Sequence, residues 1–386
     1  MTLKVARRAA VPPFIAMEVL RAANERAAAG ERVLHLEIGQ PDTGAPAAVI
    51  EAAQRALSNH RLGYTEALGI WPLREAIAAH YRNSYGTDVD SARIVVTTGS
   101  SGAFILGFLA AFEPGDRVAL AAPGYPAYRN ILQALGLRPV DLPTGPETRF
   151  QPTPALLDAA AADLDGPIDG LIVASPSNPA GSMLNRTELA NLVGYCSRHG
   201  IRLVSDEIYH GIVYDGVAAT AAALGDTAIV VNSFSKYFSM TGWRLGWMVL
   251  PQDLLRAVEC LAQNLFISPP TLPQLAALAV FGCGAELDAH VARYRRNRDL
   301  LLAELPKAGF ARFAPADGAF YLYADVGELT NDSEAFCQRM LSETGVAATP
   351  GIDFDTGRGN HFLRFSYAGS TENISEAAGR LRRWLA

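Results

Sequence analysis

The stretch SFSKYFSMTGWRLGW, residues 233–247, sets one amine, Lys236, among the hydroxyls of Ser233, Ser235 and Ser239 and eight residues ahead of Arg244. Of the 33 lysine and arginine residues only Lys4, Lys236 and Lys307 are lysines. Lys4 stands in the first few residues, and Lys307, in LPKAG, reads as an exposed helix end. A chain that writes its surface charge as arginine has kept one lysine where the sequence has little surface character. Burial and nearby cations lower the pKa of such an amine toward nucleophilic values. The hydroxyls and the guanidinium beside it suit an oxyanion, because arginine can grip two oxygens at once. The plain alternatives are a solvated lysine on a loop and a surface ion pair for Arg244.

Other chemistry-bearing residues fall where apolar runs end. RIVVTTG, DRVALAAP, GLIVASP, IRLVSDE, AIVVNS and RLGWMVL lack polar alternation, which suits strands covered on both faces, as in a parallel α/β sheet. Between them lie helix signals such as SGAFILGFLAAFEPG and NRTELANLVGYCSRHG, the latter with Asn185 or Thr187 at its start and Gly200 at its end. In such doubly wound sheets ligands sit beyond the carboxyl ends of the strands. There, IRLVS runs into Asp206 and Tyr209, GLIVAS into SPSNPAG with Asn178, and IVVTT into Gly99, Ser100, Ser101 and Gly102. DRVAL runs into APGYPAY with Tyr125, and AIVV into NSFSK. Taken singly, Asp206 could be a helix N-cap, GSSG a cap as well, and Tyr125 a core aromatic. A carboxylate ending an apolar strand nevertheless needs a cationic partner, and Arg364, inside the apolar HFLRFSYA, needs an anion, either an internal carboxylate or a ligand.

The chain is 386 residues long, 49% hydrophobic and 19% charged, with a mean hydropathy of +0.11. That describes a globular protein of two domains, one of them large. Texture changes after about residue 285, where a charged helix (DAHVARYRRNRDLLLAEL) precedes AFYLYADV, a helix around 333–344, HFLRFSYA and a terminal helix from Glu372. The expected division is residues 1–44 and 286–386 as a smaller α+β domain around a large domain, 45–285. A net charge of −6 argues against a nucleic-acid partner, which would need a basic face. No apolar run approaches the roughly 18 residues of a membrane span. Four scattered cysteines and seven histidines show no metal-ligand spacing and no disulfide framework. Basic residues ahead of an apolar N-terminal segment look superficially like a signal peptide, but Pro12, Pro13 and Glu18 interrupt it, so a cytoplasmic protein is expected.

These stretches, from IGQPD through GYTEALGIWPLREAI, SPSNPAG, DEIY and SFSK to LRFSYA, together resemble the class I/II aminotransferases of fold type I, which use pyridoxal 5′-phosphate. The resemblance covers nearly the whole chain, and NPAG, DEIY and SxSK with Arg244 are its specific part. It implies a large domain with a mostly parallel seven-stranded sheet flanked by helices. It implies that Lys236 carries the cofactor as a Schiff base, that Asp206 pairs with the protonated pyridine nitrogen, and that Tyr209 and Asn178 bond the ring's phenolic oxygen. Tyr125 would stack on the ring; Arg244, Ser233, Ser235 and the Gly99, Ser100, Ser101, Gly102 turn would hold the phosphate. Arg364, with the backbone at Gly39 and with Asn178, would take the substrate carboxylate. Tyr64 would reach the phosphate of a neighbouring subunit, so a homodimer with shared sites is implied.

Departures from the family pattern lie on the substrate side. The chain has PDT at Pro41, Asp42 and Thr43 where relatives usually have PDF, and Ser101 where some aspartate-preferring relatives carry lysine. No arginine stands out as partner for a second substrate carboxylate, so aspartate is not the expected donor. Trp243 and Trp247 are expected to pack, and His210 to have a satisfied structural role. The expected activity is ping-pong transfer of an amino group from an L-amino acid to a 2-oxo acid, with Lys236 as base and acid. A carbon–sulfur β-lyase on the same scaffold is the rival reaction. A cofactor-binding sensor is a remoter one, disfavoured by the acidic balance and by the lack of an N-terminal DNA-binding extension.

Overall fold

The computed structural model describes residues 3–164 and 166–386. Helix Ile15–Ala28 leads to the short strand β1 (Leu34–His35). Strands β2 (Ile94–Thr97), β3 (Arg117–Ala122), β4 (Arg138–Pro143), β5 (Gly170–Ala174), β6 (Arg202–Asp206), β7 (Ile229–Ser233) and β8 (Gly246–Val249) form one seven-stranded sheet in the order β2-β8-β7-β6-β5-β3-β4. Each of the six apolar runs became a strand. β4, from RPVDLP, is not among those six runs; it lies at the sheet edge, where a proline's missing amide leaves no ladder bond unmade.

β8 runs antiparallel to both β2 and β7, although its apolar run looks like those of the parallel strands. The reason lies in residues 234–245, which hold no helix long enough to cross back over the sheet. They fold into a long hairpin loop closed by the Phe234 amide on the Leu245 carbonyl (3.1 Å), and that loop carries Lys236. Successive strand residues point to opposite faces. Val95, Val231 and Met248 pack with Phe104 and Phe108 of helix Gly99–Ala111, while Val96, Val230 and Trp247 build the core of the other face. Helix Gly99–Ala111 is apolar nearly all round because it lies between the sheet and helix Leu255–Leu265.

A second, antiparallel sheet is built from β9 (Arg312–Phe313), β10 (Tyr321–Asp325), β12 (Thr349–Pro350) and β13 (Phe362–Ser366), in the order β12-β13-β10-β9. β11 (Val346–Ala347) pairs in parallel with β1, which fastens the N-terminal segment to the C-terminal third of the chain. The first amides of helix Ile15–Ala28 are capped from the same region, with Ile15 N and Ala16 N each donating to the Asp353 carboxylate at 3.1 Å. The late helices span Ser333–Thr344 and Thr371–Leu385. Among the described residues no single helix is long and apolar enough to cross a membrane.

Candidate active site

The ends of β5, β6 and β7 open on a cavity whose opposite wall is the second sheet with the N-terminal segment. Ser235, Lys236 and Arg244 line it from the β7–β8 loop, Asn178 and Tyr209 from the turns after β5 and β6, and Ser100, Ser101 and Tyr125 from beside the large sheet. Gly39 and Arg364 line it from the other side.

Lys236 Nζ donates to the Gly39 carbonyl at 2.6 Å and lies 5.7 Å from the centre of the Tyr209 ring. Burial, then the Arg364 and Arg244 charges, pull its pKa down to about 8, with Asp206 opposing. Asp206 is buried just behind the cavity wall. One carboxylate oxygen accepts the Tyr128 hydroxyl and the other the Ile208 amide at 3.1 Å. Burial raises it to about 6, held back by those bonds and by Lys236. The positive charge its position calls for is not supplied by an ion pair with any arginine or lysine among the described residues.

Arg364 is 2% exposed. Its Nη1 donates to Asn178 Oδ1 at 2.8 Å and its Nη2 to Thr349 Oγ1 at 3.1 Å and to the Glu37 carbonyl. The guanidinium lies 4.4 Å from the centre of the Tyr321 ring. Its Nε is buried without a partner, and among the described residues it forms no salt bridge, so the internal pair considered for it is not made. With Oδ1 of Asn178 occupied, the NH2 of that amide is left to donate.

Gly99 opens its helix at φ +68°, and a Cβ there would sit 2.6 Å from Arg244 Nη2. The guanidinium therefore packs directly on the backbone where the first helical amides have no intrahelical acceptor, beside Ser100, Ser101 and Ser235. This is a cradle for an oxyanion. An amine, a buried carboxylate, an oxyanion cradle and a second unpaired guanidinium around one cavity fit pyridoxal phosphate and an α-amino acid.

Three expected residues stand apart. Ser233, the last residue of β7, keeps its hydroxyl within reach of Ser235 Oγ (3.0 Å) and the Leu245 carbonyl (3.3 Å) and does not line the cavity. Gly102 is a packing position, since a Cβ there would lie 2.8 Å from Thr98 Oγ1. Tyr64 is 83% exposed and lies away from its own chain's cavity. Gly39 has a further reason to be glycine, because a Cβ would fall 1.9 Å from the Tyr321 hydroxyl. Thr43 places its hydroxyl 3.2 Å from Ser239 Oγ and 3.4 Å from His290 Nδ1. Trp247 packs in the core and donates to the Tyr81 hydroxyl (3.2 Å).

Sequence reasoning passed over Tyr128 and Tyr321. Tyr128 follows Tyr125 by three in APGYPAY, one helical turn on, and Tyr321 meets the Tyr209 hydroxyl at 2.7 Å. The spacing in APGYPAY was the available sign for Tyr128; nothing local marked Tyr321.

The sequence model of the family described as aminotransferase class I and II matches residues 31–381. A valine–pyruvate aminotransferase of Mycobacterium tuberculosis is 52% identical over all of this chain and 99% of its own length. The crystal structure of an aminotransferase from the same organism superposes with a TM-score of 0.96 at 52% identity, covering 100% of this chain and 99% of that one. Aspartate aminotransferase from Thermus thermophilus, solved with maleate, gives 0.92 at 33% identity over 99% and 100% of the two chains. The chain belongs to the class I and II aminotransferases, a pyridoxal-phosphate-dependent family. It is an amino-acid transaminase, and the β-lyase alternative is not favoured.

Proposed function

We propose that the chain holds pyridoxal 5′-phosphate at Lys236 and moves the amino group of an L-amino acid with an apolar side chain, valine being the type, to a 2-oxo acid such as pyruvate, in a ping-pong cycle. When bound, the cofactor supplies a carbonyl that exchanges the amino group and a ring that draws electrons from the carbon losing its proton. The observation that carries this reading is Lys236, an amine on the same cavity as two guanidinium groups and pulled down to about 8. At that value one nitrogen both takes and returns a proton near neutral pH. Asp206, steadied by Tyr128 and the Ile208 amide, keeps a negative charge for the ring nitrogen. Tyr209 and the free NH2 of Asn178 donate to the ring oxygen, and Tyr125 covers the ring face. Arg244, Ser235 and the Gly99–Ser101 amides hold the phosphate, with Ser233 acting through Ser235 and Gly102 through the packing of the turn. Arg364 holds the substrate carboxylate beside Asn178 and the Gly39 backbone.

The apolar donor is supported by the rest of the cavity wall, where Phe14, Met17, Ile38 and Ile131 gather and where, among the described residues, Lys236, Arg244 and Arg364 are the only lysine or arginine side chains. Within one chain, the cavity wall offers a second donor carboxylate no lysine or arginine besides these three. The name of the 52% identical relative points the same way. We read the chain as a homodimer in which Tyr64 reaches the partner's phosphate; its exposure supports this. Residues 45–285 are read as the large domain and 1–44 with 286–386 as the small one, supported by the β1–β11 pairing, in a cytoplasmic enzyme of amino-acid biosynthesis.

The test is purified protein saturated with pyridoxal phosphate and offered valine with pyruvate, or aspartate with the same acceptor. Visible absorbance, borohydride trapping and faster turnover of valine are expected, and Lys236→Ala is expected to abolish turnover and that absorbance. Colourless protein, or aspartate preferred over valine, overturns the reading.

A further inference from the structure

β5 and β6 end level in the sheet, with Ala174 paired to Asp206. Beyond that level each continues as a loop, one carrying Asn178 and the other Tyr209. Two donors on separate loops converge on one acceptor only if the loops are tied to each other. The backbone ties them once, through the Ser175 amide on the Asp206 carbonyl (3.2 Å), and His210 adds a side-chain tie farther out. Its Nε2 lies 3.0 Å from the Ser175 carbonyl, three residues before Asn178, and its Nδ1 lies 2.8 Å from the Tyr85 hydroxyl at the end of helix Trp71–Tyr85.

A carbonyl only accepts, so Nε2 carries the hydrogen. In the neutral ring Nδ1 is then an acceptor, and the Tyr85 hydroxyl donates to it. Burial pulls the imidazole pKa down to about 4, which agrees with the neutral ring. Two titratable groups face it: Glu207, whose carboxyl burial raises to about 7 and which has one oxygen 3.6 Å from Nδ1, and His80, which adds to the lowering of the imidazole. The other oxygen of Glu207 is occupied by Ser205 Oγ (3.0 Å) and the Ala221 amide (2.8 Å). The histidine thus has one tautomer and one orientation, fixed from a helix outside the site.

We propose that His210 is a positioning residue, held in one tautomer by Tyr85, that clamps the Asn178 loop to the Tyr209 turn so that both side chains donate to the same oxygen of the bound cofactor. This rests on the pyridoxal phosphate reading above. Two bonds donated to an oxygen stabilise its anionic form and weaken its hold on a neighbouring proton. Loosening them raises the pH at which the bound chromophore gives that proton up.

The experiment is a pH titration of the visible absorbance of the loaded protein, with wild type, His210→Phe and His210→Gln side by side. His210→Phe removes both hydrogen bonds and is expected to move the midpoint upward by at least about half a unit, roughly threefold in proton affinity. His210→Gln, whose amide NH2 can reach the Ser175 carbonyl, is expected to return most of that shift. A merely structural histidine would lower the melting temperature and leave the midpoint where it is. Folded, coloured His210→Phe with an unmoved midpoint overturns the proposal. Should that variant not fold, Tyr85→Phe decides, an upward shift supporting and an unmoved midpoint overturning. Wild-type protein that stays colourless overturns the cofactor reading and this one with it, whereas coloured protein with an unmoved midpoint overturns this one alone.

Discussion

Lys236 and Arg364 face the same cavity from opposite walls, and the two walls carry their charge differently. On the large-sheet side, Lys236 and Asp206 are shifted toward each other by burial, one down to about 8 and the other up to about 6. On the second-sheet side, Arg364 is wrapped in neutral acceptors, a side-chain amide, a hydroxyl and a carbonyl, and lies over two aromatic faces. A group that must change its protonation is tuned by desolvation and neighbouring charge. A group that must stay positive and hold an anion is satisfied by dipoles, because a paired carboxylate would cancel the charge it is there to offer. On the proposed function this difference separates chemistry from recognition within one pocket, and substitutions on the two walls should therefore fail in different kinetic terms.

The largest effect expected among substitutions that spare Lys236 is on the first wall. Asp206→Asn keeps the shape and removes the negative charge, and should lower kcat by roughly 10²–10³-fold while KM for the amino donor changes little. A loss expressed only as a higher KM would mean that Asp206 serves binding and the contrast between the walls is lost. Arg364→Lys replaces a planar fork by a point charge that cannot keep the Asn178 and Thr349 bonds as well as a carboxylate. Here kcat/KM should fall by roughly 10–100-fold, mostly through KM, as steady-state kinetics with varied donor would show.

Much of this was legible in the sequence, for reasons that can be named. Strands buried on both faces leave unbroken apolar runs, and a parallel sheet puts its loops at one edge, so Asp206, Asn178 and Lys236 could be placed together although 58 residues separate the first from the last in the chain. β4 was hidden because proline reads as a breaker until its edge position is known. Ser233 and Ser235 look alike beside Lys236, yet the strand ends between them, and only the second turns to the cavity. Tyr128 and Tyr321 sit in apolar surroundings where an aromatic has no mark to tell a core residue from one whose hydroxyl holds a neighbour. Their partners, Asp206 and Tyr209, are 78 and 112 residues away, a distance that local pattern cannot bridge.

The pH dependence of cofactor capture sharpens the comparison further. On the proposed function pyridoxal phosphate joins the neutral amine of Lys236, and below its pKa that amine is an ammonium ion. The rate at which cofactor-free protein gains visible absorbance should rise about tenfold per pH unit and level off above about 8. A rate still climbing at pH 10 would show that burial and the two arginines leave the amine at its ordinary value.

The smallest effect expected is that of Tyr128→Phe, which isolates the tuning of the acid on the first wall. The phenol donates to Asp206, and a hydrogen bond to a buried charged group contributes about 1.5–3 kcal/mol. Without it the carboxyl, already raised from the ordinary 3.8 to about 6 by burial, should rise further. A carboxyl whose folded pKa is raised binds its proton more tightly in the folded state, so its ionisation costs stability as pH climbs through the window between the ordinary and the folded value. Tyr128→Phe widens that window upward. Melting curves of the cofactor-free protein should therefore show the variant falling below wild type by a few degrees, about, at pH 8 and by less at pH 5, where Asp206 is largely protonated in both. Equal losses at the two pH values would mean that the phenol serves only as packing and that burial alone sets the acid.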